Sequence, residues 1–137
     1  MAKLSSTPFL NPTELSNSDR VTLIVTGNVK FEPGDINDMK IGHRFKVSAR
    51  MFGDDGAAGP SNGDDDLNIT LRSQEFTGNQ GSAVSYRLTR TVDASKLNED
   101  TIGGDEIYAL VTLTKDTLPG FTIDQRASNV VEEGFGS

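Results

Sequence analysis

Between Arg44 and Phe52 apolar and polar residues alternate without a break. Phe45, Val47, Ala49 and Met51 fall at one parity, and Arg44, Lys46, Ser48 and Arg50 at the other. A period of two is the repeat of a β-strand, whose successive side chains point to opposite faces of its sheet. A strand that is apolar on one face and charged on the other needs a second layer to cover the apolar face. This one segment therefore predicts a sheet with a dry side and a wet side.

The same period returns along the chain. Val21, Leu23, Val25, Val29 and Phe31 share a parity, with Gly27 among them as the expected site of a bulge. Leu67, Ile69 and Leu71 mark another strand, and Val84, Tyr86 and Leu88 a further one. Residues 107–114 are apolar at both parities, which predicts a central strand covered on both sides. Phe121 and Ile123 indicate a short last strand. Turn chemistry separates these runs: Glu32-Pro33-Gly34-Asp35, the glycine- and aspartate-rich residues 53–66, residues 77–82, and Pro119-Gly120. Residues 93–100 hold one helical turn, with Asp93 as cap and Leu97 facing inward. No amphipathic helix of useful length emerges. The expected fold is all-β: an antiparallel β-sandwich, immunoglobulin-like in outline or a flattened barrel, of about six to seven strands. Tyr108, shortly after Asp105, resembles the loop-capping tyrosine of immunoglobulin-like sandwiches, and that resemblance implies the architecture alone.

A chain of 137 residues is one domain by size. Its hydrophobic content of 34% is low for a globular protein, so some of it is expected to lie outside the core. Residues 1–19 hold Ser, Thr, Asn and Pro with few apolar anchors (Leu4, Phe9, Leu10, Leu15), and residues 125–137 offer only Val130, Val131 and Phe135. The expected organisation is an extended arm over 1–19, a β-sandwich domain over 20–124 and a tail over 125–137. The arms are expected to reach a neighbouring molecule, Phe9 and Leu10 among the contacts, and to be dispensable for folding.

Charge is segregated. Segments 40–53 and 67–92 carry Lys40, Arg44, Lys46, Arg50, Arg72, Arg87 and Arg90 against one acid, Glu75. The loop between them carries Asp54, Asp55, Asp64, Asp65 and Asp66, and the whole chain has a net charge of −7. A strongly acidic chain is a poor ligand for nucleic acid or an anionic membrane, where binding rests on neutralising phosphates. No apolar run approaches the length of a membrane span, and the first ten residues lack the apolar core of a secretory signal. With no cysteine to indicate an oxidising compartment, synthesis in the cytoplasm without a signal peptide is expected.

Two clusters are candidate sites. The alternation places Arg44, Lys46, Arg50, Arg72, Arg87 and, with them, Arg90 on polar faces, where adjacent strands would form a basic band against an acidic neighbour. The five aspartates within 54–66 are a weak calcium candidate, because loop carboxylates suit that ion, but their spacing is not an EF-hand. His43 is the lone histidine and there is no cysteine, which removes most zinc sites. No nucleophile elbow, P-loop or dinucleotide fingerprint occurs, and Asn68-Ile69-Thr70 is a chance glycosylation match. The expected function is non-enzymatic and structural, without cofactor. The protein would associate with itself or decorate a larger acidic assembly, such as a virion capsid or tail, through the basic face and arms. The alternative is a ligand-binding β-sandwich module that takes carbohydrate or Ca²⁺ through 54–66.

Overall fold

A computed structural model describes residues 1–15, 19–53, 65–97 and 105–133. Two antiparallel sheets pack face to face as a sandwich, so the all-β expectation holds. The first sheet contains β1 (Lys3–Leu4), β2 (Phe9–Glu14), β3 (Arg20–Lys30) and β7 (Ala83–Asp93). The second contains β4 (Phe45–Gly53), β5 (Asp65–Thr70), β6 (Gln74–Phe76), β8 (Asp105–Lys115), β9 (Thr122–Ala127) and β10 (Val131–Glu133). One helix, α1 (Pro33–Lys40), carries the chain from the first sheet to the second, and a 3₁₀ turn at Ala94–Leu97 lies between β7 and β8.

The long strands are central and the short ones are laid end to end along their edges. β3 pairs with β7 on one side and with both β1 and β2 on the other. β8 pairs with β4 on one side and with β9 and β10 on the other, and β4 carries β5 and β6 on its free edge. Each end-to-end pair leaves a jog in the chain. At the jog after β9, Ser128 does the work of the missing ladder: its Oγ accepts from the Ala109 N–H (2.8 Å), and its own N–H donates to the Ala109 carbonyl (2.8 Å).

The core follows the sequence parity. Phe45, Val47, Ala49 and Met51 of β4 are buried, as are Val21, Leu23, Val25 and Val29 of β3 and Ile107, Ala109, Val111 and Leu113 of β8. One end is closed by an aromatic cluster, with the Phe31 ring 5.2 Å from Phe45 and 5.8 Å from Phe76 in edge-to-face geometry. α1 covers this end through the fully buried Met39. On the outer side of β8, Tyr108 is buried too and stacks on Phe52.

Three sequence expectations change. Gly27 makes no bulge: β3 and β7 stay in register from Arg20↔Asp93 to Lys30↔Ala83, with Gly27 opposite Tyr86. The glycine is there because the Tyr86 ring lies across it. Glu32-Pro33-Gly34-Asp35 is the start of α1 and not an isolated turn, with the Glu32 N–H donating to Asp35 Oδ2 (2.9 Å).

The arms are the third change. β1 and β2 lie in the first sheet, with Ala2, Leu4 and Leu10 buried, and β9 and β10 complete the second. Side chains from the C-terminal strands hold the N-terminal ones. Leu4 N–H donates to Asp124 Oδ2 (2.8 Å), and Arg126 donates from Nη2 to Thr7 Oγ1 (3.0 Å). Asn129 grips Leu10 at both backbone groups, accepting from its N–H (2.7 Å) and donating to its carbonyl (3.3 Å). Amide and carboxylate side chains here satisfy strand-edge groups that would otherwise be half-buried and unpaired. Sparse apolar residues misled the reading of these segments, because two well-placed leucines suffice for a short edge strand.

Candidate functional site

The basic positions do not form one band, because the two sheets turn their outer faces in opposite directions. Arg44, Lys46 and Arg50 stand on the outer side of the second sheet at alternate positions on and just before β4. Arg87 stands on the outer side of the first sheet, in register with Thr26. Arg90 shares the inward parity of Leu88 and Val92, and its Nη1 turns along the sandwich edge to the Thr70 carbonyl (2.9 Å). Arg72 is exposed in the jog between β5 and β6, its backbone N–H bonded to Thr89.

Arg50 is already occupied. Its Nε donates to Asp66 Oδ2 (2.7 Å) and its Nη2 to Asn68 Oδ1 (3.1 Å). Asp66 Oδ1 in turn accepts from the Asn68 N–H (2.8 Å), which holds Asn68 in the left-handed region at φ 58° where the β4–β5 register slips. The Arg50 guanidinium, then the Asn68 N–H, keep the Asp66 carboxyl below its usual range. Of the calcium candidates, Asp66 therefore serves this bulge. Asp54, Asp55 and Asp64 lie outside the described residues, as does the side chain of Asp65. Among the described residues no group of three or more His, Cys, Asp or Glu converges as a metal site would need.

Arg44 and Lys46 remain, and they border a cleft of about 310 Å³ on the outer face of the second sheet. Arg44 lies 3.9 Å from Glu75 Oε2 with both side chains largely in water, a contact of little energetic weight. The Lys46 side chain has no hydrogen-bond or ion-pair partner among the described residues. Facing them is the turn after β8, where Leu118, Pro119 and Gly120 form the other wall and Phe121 just beyond is 70% exposed. Behind the cleft Lys115 is tied down: its Nζ donates to Asp38 Oδ2 (2.5 Å) and sits 5.4 Å from the Phe45 ring centroid. The Lys115 ammonium holds the Asp38 carboxyl below its ordinary value. His43 Nδ1 lies 3.5 Å from Asp116 Oδ1 at the same end.

The turn wall was not anticipated. The available signal was a pair of large apolar residues, Leu118 and Phe121, flanking a Pro-Gly turn that should have been polar. The expected contact pair Phe9 and Leu10 is split by strand alternation: Phe9 points out from the first sheet, and Leu10 is buried in the core.

What the fold defines is a β-sandwich domain, with a mixed basic and apolar cleft on one sheet. No family model matches the sequence, and neither does any curated protein. Two solved structures share the fold. One is a Bacteroides uniformis β-glucuronidase, similar at TM-score 0.55 and 13% identity over 96% of this chain. The other is a calcium-binding mutant of Bacteroides uniformis β-glucuronidase 2, at TM-score 0.57 and 12% identity over 96% of this chain. This chain spans 14% of the length of each, so the likeness is to one β-sandwich portion of a much larger protein.

Proposed function

We propose that the protein is a non-enzymatic recognition domain that associates with copies of itself through the cleft on the second sheet. The carrying observation is the placement of Arg44, just before β4, and Lys46, on it, on one face opposite the exposed apolar turn at Leu118–Phe121. Cations beside apolar surface suit a polar-rimmed protein contact better than a small-molecule pocket. The acidic occupant is supplied by the chain itself, which carries a net charge of −7 and five aspartates in 54–66. Basic cleft to acidic segment is a heterologous contact, which closes into a ring or continues along an acidic scaffold such as a capsid surface. Charge of this kind raises the association rate and fixes the register more than it adds affinity.

Light scattering on the purified chain tests this. The mass is expected to exceed 14.7 kDa at low ionic strength and to fall towards it as salt shortens the Debye length below about 8 Å. The double variant Arg44→Glu with Lys46→Glu should be monomeric under the same low-salt conditions. A wild-type chain that stays monomeric at every concentration and salt level overturns the reading, and so does a charge-reversed variant of unchanged mass.

A further inference from the structure

The opposite face of the sandwich carries a second groove, unrelated to the cleft. β1 ends at Leu4 opposite Val29, and β2 begins at Phe9 opposite Thr26. Four residues, 5–8, therefore stand against only two on β3, Gly27 and Asn28. Of the surplus, Ser6 and Thr7 form a rim, anchored by the Ser5 N–H to the Asn28 carbonyl (3.0 Å), and Pro8 is buried. Inside the rim lies an open groove of about 570 Å³, within the range of small-ligand sites.

Its chemistry is uniform. One register row runs Phe9–Thr26–Arg87, and the next pairs Asn28 with Ser85. The Phe9 ring is 56% exposed at one side, and Arg87 stands two strand spacings away, about 10 Å. Gln74 reaches in from β6, where its Oε1 accepts from the Arg87 N–H (3.1 Å), leaving its Nε2 as a donor. Among the described residues the other lining side chains are hydroxyls and amides, Arg87 is the lone charge, and no carboxylate takes part. The floor is Gly27 and Tyr86. The Tyr86 side chain turns the other way, into the core across Gly27, so it closes the groove from beneath and takes no part in its polar lining.

We infer that this groove binds a carbohydrate, one sugar ring stacking on Phe9 while its hydroxyls reach Arg87, Asn28, Thr26 and Ser85. A pyranose has an apolar C–H face, suited to an exposed phenyl ring, and a rim of hydroxyls that both donate and accept. A neutral lining of hydroxyls and amides with one guanidinium matches that rim in both senses. It would be a poor cradle for a cation or for an extended acidic chain. The inference does not depend on self-association, since the two grooves lie on opposite outer faces.

The test is a printed array of defined neutral and uronate-bearing oligosaccharides probed with the full chain, followed by calorimetric titration of the best binder. At least one saccharide is expected to be retained. Phe9→Ala should weaken its binding by about tenfold, and Arg87→Ala by about tenfold or more. Phe9→Tyr should keep the affinity, and Arg44→Glu with Lys46→Glu should leave it unchanged. Phe9 is exposed, so Phe9→Ala should melt as the wild type does. No retention on any saccharide overturns the inference. Binding that survives Phe9→Ala also overturns it, as would a Phe9→Ala change that lowers only the solution mass, since that would assign the ring to a contact between copies.

Discussion

The Tyr86 ring occupies the space that a side chain at position 27 would fill. A Cβ on Gly27 would overlap Tyr86 Oη and lie 2.6 Å from its Cζ. Gly27 is flanked in β3 by Val25 and Val29 at the same inward parity, so the gap in the apolar row is filled from the neighbouring strand. Gly27→Ala should destabilise the protein by at least about 2 kcal/mol, because the clash is with a buried ring that has no free side to move to. Tyr86→Leu in the same chain should recover part of that loss, giving a non-additive double-mutant cycle by urea denaturation. A wild-type midpoint for Gly27→Ala would contradict this packing.

Burial pushes the Tyr86 phenol up to about 12, and the nearby Arg126 charge acts in the opposite direction. Between the ordinary value near 10 and about 12 the folded protein keeps this proton while the unfolded chain releases it. The unfolded state then binds fewer protons, so stability falls as pH rises through that window and is flat below it with respect to this group. Melting temperature is expected to drop above about pH 10, and Tyr86→Phe should flatten the drop. At neutral pH the same variant removes a hydroxyl with no partner among the described residues, so it should be neutral or stabilising by up to about 1 kcal/mol.

The N-terminal strands should be part of the folding unit. Leu10→Ala empties a fully buried position and should cost about 2–5 kcal/mol. Asn129→Ala leaves two half-buried backbone groups of Leu10 without their partner and should cost about 1–3 kcal/mol. Deleting residues 1–14 should abolish the cooperative thermal transition followed by circular dichroism. A truncated chain that melts like the full one would return these residues to the status of arms.

Asp38 and Asp66 are both held below the usual carboxylate range, the first by Lys115 and the second by Arg50. A depressed folded value means that the stabilisation is present above the ordinary value of 3.8 and is lost as pH falls through the folded one. Thermal melts should therefore hold level towards pH 4 and decline below it. Asp38→Asn should shrink that decline, and an acid limb identical to the wild type would remove the Asp38–Lys115 contact from the account.

Alternation carried most of the architecture. The period-two runs at 21–31, 44–52, 83–92 and 107–114 are β3, β4, β7 and β8, and the residues read as inward are buried, Val84 only partly. A strand's parity is a local property, because consecutive side chains must point to opposite faces whatever the partner. The sequence by itself therefore determined the fold class and the core faces of the long strands. Sheet membership was decided elsewhere. Whether Arg44 and Arg87 share a face depends on which sheet each strand joins, and a long-range pairing leaves no periodic mark in either strand. The same holds for the N-terminal segment, whose strands exist because Asp124, Arg126 and Asn129 meet them from more than a hundred residues away. Gly27 shows the limit most sharply: glycine in a strand signals something unusual, but only the register that sets Tyr86 across from it shows that what it provides is room for a ring.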